Sequence, residues 1–151
     1  MVILNATDRH FIDSNILVYS YDSTEPAKQT LAQELISSLV QNENAVISVQ
    51  VLGEFFFSVT RHIRNPLSIE QARAAVDLLS SFPTLPVINI DLAMVRRAIA
   101  THSRYGINYW DSLIIAAAER AGCTRILSED MNPGQSYHGM LAVNPFAAST
   151  T

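Results

Sequence analysis

The sequence predicts an α/β protein whose mostly parallel central sheet is flanked by helices. Apolar, strand-like runs alternate along the chain with segments in which apolar residues recur at helical spacing, and this alternation is typical of a parallel sheet. The 151 residues are 48% hydrophobic and 16% charged, as in a packed globular domain. No linker or internal repeat divides the chain, so we expect residues 1–151 to form a single domain with a core at about 10–146 and frayed ends.

Local patterns place the individual elements. The predicted strands cover residues 10–13, 45–49, 85–90, 124–128 and 140–143. Pro26 suits the first turn of a helix, Ser68 and Gln71 have capping-box spacing at the start of another, and Gly106 and Gly122 are predicted to end two later helices. The apolar stripes that support the first three helices are Leu31, Leu35 and Leu39; Val51, Phe55 and Val59; and Ile69, Ala72, Val76 and Leu79.

Composition argues against several classes of protein. No apolar run approaches the roughly 20 residues that cross a bilayer, and the first residues lack the pattern of a signal peptide, so we expect a cytoplasmic protein without a membrane span. The single cysteine, Cys123, cannot form an internal disulfide and is interpreted as a small buried residue. A net charge of −4 argues against general nucleic-acid binding by a basic surface. Two local basic clusters remain, one of Arg61, His62 and Arg64 and one of Arg96, Arg97, His102 and Arg104.

Four carboxylates lie inside or at the end of strongly apolar stretches: Asp13, Glu54, Asp111 and Asp130. A buried charge normally persists only if it is paired, hydrogen-bonded or bound to a metal. Cationic partners are few, because Lys28 is the only lysine and no arginine is a close sequence neighbour of the first three acids. Ligands of open α/β sheets collect at the carboxyl ends of parallel strands, where Asp13 and Asp130 are predicted to fall. A divalent cation is therefore the simplest shared counter-charge.

Each acid also has a purely structural interpretation. Asp13 suits the N-cap of a following helix, and Asp130 suits a turn, with Arg125 as a nearby cation. Glu54 lies about 60° around the helix from Val51, at the border of the apolar face. Asp111 suits the first turn of a helix, where an acid meets the positive end of the helix dipole. All four structural interpretations would have to hold at once for the chain to lack an acidic site.

The order and context of the four acids resemble those of PIN-domain ribonucleases, and the nearest branch is the VapC-type toxin of prokaryotic toxin–antitoxin pairs. The resemblance covers about residues 10–146, and any one of its motifs alone would be weak. The motifs are FIDSNIL at 11–17, GEF at 53–55, YWDSLI at 109–114, LSEDM at 127–131 and VNPF at 143–146.

The resemblance implies a PIN-like three-layer fold and an acidic centre that binds Mg²⁺ or Mn²⁺ and cuts single-stranded RNA. Asp13, Glu54, Asp111 and Asp130 would take the four acidic positions as catalytic and metal-binding residues, with Asp13 and Asp111 in direct metal contact. Asn15 and Ser128 match the polar positions that orient those acids. The expected partners are an RNA substrate, a cognate antitoxin and a second copy of the chain. One or two metal ions remain possible.

Other functions remain open or are disfavoured by particular residues. A catalytically silent PIN-like module that binds RNA or protein, and a nuclease that acts on DNA, are the alternatives. An aspartyl-phosphate enzyme would need a second acid where Asn15 stands, and Lys28 lies outside any glycine-rich loop. Zinc is not expected, because the four histidines show no paired ligand spacing.

Three consecutive phenylalanines bear on assembly. Phe55, Phe56 and Phe57 would point about 100° apart on a helix, so they cannot all face one core. We expect at least one of them to need another surface. A dimer partner, an antitoxin helix or the helix that begins at Ser68 would provide it.

Overall fold

The computed structural model describes residues 8–147, and the predicted frayed ends at 1–7 and 148–151 lie outside these residues. The strands are β1 His10–Ile12, β2 Ala45–Ser48, β3 Val87–Ile88, β4 Arg125–Leu127, β5 Ser136–Tyr137 and β6 Met140–Val143. The helices are α1 Ser14–Tyr19, α2 Pro26–Gln41, α3 Val49–Arg61, α4 Ile69–Ser81, α5 Leu92–Tyr105 and α6 Tyr109–Arg120. That the whole chain forms a single domain stays a prediction.

The strands form one six-stranded sheet in the order β3-β2-β1-β4-β6-β5. The first five strands of that order pair in parallel, and β5 pairs antiparallel with β6 at the edge. The predicted α/β class with a mostly parallel sheet flanked by helices is therefore confirmed. The chain passes from β1 to β2 on one side and places β4 on the other, so the strand order reverses at β1. Ligands of such sheets bind beyond the carboxyl ends of the strands at this reversal.

Two short elements had no predicted bounds, and one strand is much shorter than expected. Helix α1 has six residues and β5 has two, and neither is long enough to show a clear period in the sequence. The run at 85–90 contributes only Val87–Ile88 as a strand, although Leu85 is buried. Apolar character therefore located this segment correctly, while the length of its hydrogen-bonded pairing depended on its neighbour β2.

The buried faces follow the predicted stripes except at Leu31, which is half-buried, and at Ile69. Ala72 and Leu79 of α4 are buried and Val76 packs partly against the core, but Ile69 is 66% exposed. Ile69 is the first residue of α4, one turn before Ala72 and beyond the end of the buried face.

Cys123 is buried, as expected, and burial raises the pKa of its thiol to about 12, which suits an inert packing residue.

Helix α6 is the central helix that its sequence predicted. Its residues 112–118 are all buried, because the run is apolar almost all round and must be enclosed. Its first turn is fixed by a cap in which Asn108 Oδ1 accepts the Asp111 N–H at 2.9 Å. Gly106 ends α5 in the left-handed conformation, with φ of 70°. The short link between the two helices therefore fixes where Asp111 lies.

The three phenylalanines of α3 have three different environments. Phe55 is fully buried and Phe56 packs partly against the core, whereas Phe57 remains 47% exposed. The prediction that not all three enter this core is confirmed.

Within residues 8–147, no helix combines the length and the apolar character that crossing a membrane would require.

A pair of glycine substitutions tests the importance of the α5–α6 link. Gly106→Ala is expected to lower the free energy of unfolding by about 1–2 kcal/mol, because a Cβ disfavours the left-handed conformation. Gly53→Ala, in the interior of α3 with no heavy atom within 4 Å of an added Cβ, is expected to raise it by up to about 1 kcal/mol. Urea unfolding of both variants measures the difference. Equal effects of the two changes would contradict the assigned link.

Candidate active site

The four predicted acids lie at the carboxyl-end face of the sheet. Asp13 directly follows β1 and caps α1, and Asp130 lies three residues beyond the end of β4. Asp111 is in the first turn of α6, and Glu54 is in the second turn of α3. Their charges act on one another: Asp111 and Asp130 both affect Asp13, and Asp13 and Asp111 both affect Glu54. The structure thus brings together all four acids that the sequence singled out.

Asp13 is the buried centre of this group, with only 3% of its surface exposed. Its Oδ1 accepts a hydrogen bond from the Ser14 N–H at 2.7 Å. Its Oδ2 accepts one from Ser128 Oγ at 2.6 Å and one from Asn15 Nδ2 at 3.3 Å. The N-cap interpretation of Asp13 is therefore correct as well, because one carboxylate oxygen caps the helix while the other faces the loop after β4.

Asn15 and Ser128 connect that loop to α1. Asn15 Nδ2 lies 3.1 Å from Asp130 Oδ2, and Asn15 Oδ1 accepts the Glu129 N–H at 3.1 Å. Ser128 Oγ accepts hydrogen bonds from the backbone N–H groups of Asp130 and Met131 at 3.2 and 3.3 Å. The two supporting residues suggested by the sequence therefore hold Asp13 and Asp130 in a fixed relation.

Glu54 has an unusual environment for a carboxylate. Its Oε1 is buried and has no hydrogen-bond partner among residues 8–147. Burial is the main reason that its pKa rises to about 7, and the charges of Asp13 and Asp111 raise it further, against a hydrogen bond from Gln50. A buried, unpartnered carboxylate oxygen is costly, so a ligand that reached this atom would relieve that cost.

The other buried acids are also shifted toward the protonated form. Burial raises the pKa of Asp13 to about 6, with added contributions from Asp111 and Asp130, while the hydrogen bonds from Ser128 and Ser14 oppose the rise. Burial also raises the pKa of Asp111, and Asp130 adds to this, although a hydrogen bond from Asn108 opposes it. The site therefore holds more negative charge than its surroundings compensate.

Nearby cations are engaged elsewhere. Lys28 Nζ pairs with Glu129 Oε2 at 2.8 Å and lies over the Tyr19 ring. Arg125, close to Asp130 in sequence, instead lies 3.6 Å from Asp8 Oδ2 at the start of β4. In the span 8–147, no lysine or arginine makes an ion pair with any of the four acids.

Two depressions share Asp130 as a lining residue and are together called the cleft. One, of about 300 Å³, is lined by residues that include Asn15, Ser58, His62 and Asp130. The other, of about 240 Å³, lies beside Asp111 and is lined by residues that include Asn108, Asn132 and Tyr137. Sequence reasoning did not assign Ser58 or His62 to the site. Their spacing of four and eight residues from Glu54 on one helix was the available signal.

The model of the PIN-domain family matches residues 10–133, a span that contains all four acids. The chain belongs to the PIN-domain family.

No curated protein matches it, but solved structures do. VapC20 of Mycobacterium tuberculosis, described as a toxin that cleaves the sarcin-ricin loop, is 16% identical with a TM-score of 0.65, over 80% of this chain and 89% of that one. A toxin–antitoxin complex from Klebsiella pneumoniae is 18% identical with a TM-score of 0.65, over 91% and 98%. VapBC2 of Rickettsia felis, bound to a promoter DNA fragment, is 17% identical with a TM-score of 0.63, over 88% and 96%. At these identities the likeness is one of fold.

The acidic site of this PIN domain fits a divalent cation by its chemistry. The donors are carboxylate oxygens, which Mg²⁺ and Mn²⁺ prefer, and Glu54 Oε1 is a buried oxygen in need of a partner. Among residues 8–147, no group of three or more Asp, Glu, His or Cys side chains is already arranged to hold a metal ion. The acids are near enough to repel one another, so binding would involve side-chain adjustment and water ligands, which Mg²⁺ usually retains.

The raised pKa values predict how stability depends on pH without metal. Asp13 and Glu54 bind protons more tightly in the folded chain, so their favourable contribution is present at low pH and lost as pH rises through about 6 and about 7. In chelator, the thermal midpoint of Glu54→Gln should therefore exceed that of the wild type increasingly as pH rises from about 4.5 to about 7. Asp13→Asn should act in the same direction, and excess Mn²⁺ should raise the wild-type midpoint.

The control for these melting curves is Glu34→Gln, which removes an exposed carboxylate from the middle of α2. Its midpoint should follow the wild-type profile at every pH. If Asp13→Asn and Glu54→Gln also follow that profile under chelation, the acids do not form a mutually repelling site.

Proposed function

We propose that this PIN domain is a Mg²⁺- or Mn²⁺-dependent endoribonuclease that hydrolyses RNA phosphodiester bonds and acts as the toxin of a toxin–antitoxin pair in the cytoplasm. The observation that carries the proposal is the meeting of four acids at the strand-order reversal, with no lysine or arginine among residues 8–147 paired to any of them. Membership of the PIN family and the fold of VapC20, a toxin described as cleaving the sarcin-ricin loop, support it.

Each acid has a role in this proposal. Asp13 and Asp111 would contact the metal directly, since one follows the central strand and the other begins the central helix. Glu54 and Asp130 would complete the acidic shell, and Glu54 Oε1 is free to meet the ion or a water bound to it. Bound Mg²⁺ or Mn²⁺ would neutralise charge on the phosphodiester and make water more acidic. One or two ions would serve the same chemistry.

Asn15 and Ser128 would keep this geometry during turnover. Ser128 Oγ donates to Asp13 Oδ2 and Asn15 Nδ2 lies close to carboxylate oxygens of both Asp13 and Asp130. These donors leave less freedom for the acids to move apart under their own repulsion. They would therefore position the acids rather than contact the substrate.

Substitution of single acids tests the nuclease assignment. Asp13→Asn and Asp111→Asn keep side-chain size and remove a charge, so cleavage of a mixed single-stranded RNA pool in Mg²⁺ should fall by at least about a hundredfold for each. Asp77→Asn, an exposed change on α4, should cut at the wild-type rate. Mapping of the cleavage ends measures both activity and target.

A parallel pool of single-stranded DNA separates the rival functions. Preferential cutting of DNA would assign a DNA-directed nuclease. RNA binding without new ends, in the presence of Mg²⁺ or Mn²⁺, would assign a silent binding module. Wild-type cutting by Asp111→Asn would remove this acid from the catalytic site.

Two partners belong to the proposal: a second copy of the chain and a short antitoxin. Several structures of similar fold are toxin–antitoxin complexes. On α5, Leu92 and Ile99 are seven residues apart on one face and are 63% and 56% exposed, which suits a contact with another chain. An antitoxin arginine would match the uncompensated carboxylates by bidentate hydrogen bonding.

Co-expression with the gene immediately upstream tests the antitoxin. We expect a short protein that co-purifies with this chain and suppresses both toxicity and RNA cleavage. Light scattering of the purified chain should give the mass of a dimer. A strict monomer at tens of micromolar would remove the dimer, and unchanged toxicity on co-expression would remove the toxin role while leaving the nuclease role intact.

A further inference from the structure

Helix α3 carries a polar stripe whose last two residues line the cleft. Gln50, Glu54, Ser58 and His62 are four residues apart, so they lie on one side of the helix and its C-cap. Gln50 Nε2 donates to the Trp110 carbonyl at 3.0 Å, which ties the first end of the stripe to α6. Ser58 and His62 line the cleft together with Asp130. The stripe therefore runs from Glu54 of the acidic group to Ser58 and His62 in the cleft wall.

Two arginines stand at the far end of this stripe. Arg61 is the last residue of α3 and Arg64 follows in the next loop, and both are exposed. Neither makes an ion pair within the described range 8–147, whereas Lys28, Arg97 and Arg120 are paired with acids. A position near a helix C-terminus accounts for Arg61 through the helix dipole, but Arg64 lies beyond the helix. These charges are free to meet an anion.

An exposed aromatic ring organises the same surface. The Phe57 ring packs edge to face on the His62 ring with centroids 4.9 Å apart. The Arg61 guanidinium carbon lies 5.1 Å from the centre of the Phe57 ring. Phe57 thus holds the Arg61 cation beside the His62 imidazole, and His62 lines the cleft. Alternation of cations with an aromatic face is the usual chemistry of single-stranded nucleic-acid binding.

We propose that Phe57, Ser58, Arg61, His62 and Arg64, here called the α3 ridge, bind the RNA strand that leaves the acidic centre. The proposal rests on the proposed ribonuclease function and adds the path of the substrate. Arg61 and Arg64 contact backbone phosphates, Ser58 and His62 hydrogen-bond to the strand within the cleft, and the exposed part of the Phe57 ring contacts one base.

The position of the α3 ridge explains why an acidic protein can hold RNA beside four carboxylates. With a net charge of −4, the chain as a whole repels phosphate, so binding must come from a local patch. Eight residues of helix separate Glu54 from His62, a distance of about 12 Å. The α3 ridge therefore contacts nucleotides flanking the cleaved bond and not the reacting phosphate itself.

The salt dependence of binding tests the α3 ridge directly. Affinity of the intact chain for a short fluorescein-labelled single-stranded RNA of mixed sequence is measured by anisotropy in chelator, where cleavage is absent. The slope of log affinity against log salt is negative, and each lost phosphate contact reduces its magnitude by about 0.7 for a single strand. Arg61→Gln with Arg64→Gln should therefore reduce the magnitude of the slope by about 1.4. In Mg²⁺, KM should rise by about tenfold while kcat changes by less than about twofold.

A matched control has the same change of charge elsewhere. Arg9→Gln with Arg96→Gln removes two exposed arginines that lie away from the acids. Arg9 precedes β1, at the end of the strand opposite to Asp13. Arg96 follows Asp91 on α5, and Asp91 pairs with Arg120 at the end of α6 that is far from Asp111. This variant should keep the wild-type slope and KM. Both double variants should stay folded, with thermal midpoints close to that of the wild type, because none of the four arginines forms an ion pair within residues 8–147. The contacts that are lost are the hydrogen bond from Arg9 Nη1 to the Ala121 carbonyl at 2.8 Å and the packing of Arg61 on the Phe57 ring.

The outcomes separate this inference from the nuclease assignment. The α3 ridge is supported if the wild type binds RNA and the magnitude of its salt slope falls in the ridge variant but not in the control. If no RNA is cut in that case, only the ribonuclease function fails. Cleavage by the wild type with an unchanged slope and KM in the ridge variant overturns the α3 ridge and leaves the nuclease. A ridge variant that changes only the mass in light scattering, or only antitoxin binding, also overturns it, because the surface is then a protein interface.

Discussion

The repulsion among four carboxylates at the end of β1 is the constraint on which the rest of the site depends. Asp13 is 3% exposed and Glu54 keeps a buried oxygen without a partner in residues 8–147, so folding gathers charges that water would otherwise stabilise. The chain offsets this cost with hydrogen bonds to Asp13 from Ser14, Asn15 and Ser128. Among residues 8–147, no lysine or arginine pairs with any of the four acids. A site that is unfavourable alone and favourable with a bound cation couples ligand binding to stability.

Structural and chemical roles coexist in the same side chains. Asp13 caps α1 with one oxygen and faces Ser128 with the other, and the Asp111 N–H is capped by Asn108 while its carboxylate enters the acidic group. A capping interpretation of an acid therefore does not compete with a catalytic one. The informative feature was the convergence of four such residues, since helix starts and strand ends in an open sheet face the same cleft.

Helix α3 connects the acidic centre to the rest of the cleft. It contributes Glu54 to the acids, Ser58 and His62 to the cleft wall, and Phe55 to the core. The 3.6-residue period places these functions on different sides of one rigid element. Burial of Phe55 thus orients the polar stripe, and packing energy in the core sets the direction of the cleft.

The sequence by itself determined the α/β class, the buried central helix and the identity of the acids, because apolar periodicity and capping residues act locally. Asn15 and Ser128 followed from family resemblance. Tertiary structure decided the rest: that Lys28 meets Glu129 and Arg125 meets Asp8 instead of the acidic centre, that Ile69 and Phe57 remain exposed, and that His62 shares a cleft with Asp130. These contacts join residues distant in the chain, and their partners are set by strand order and helix packing, which no local pattern encodes.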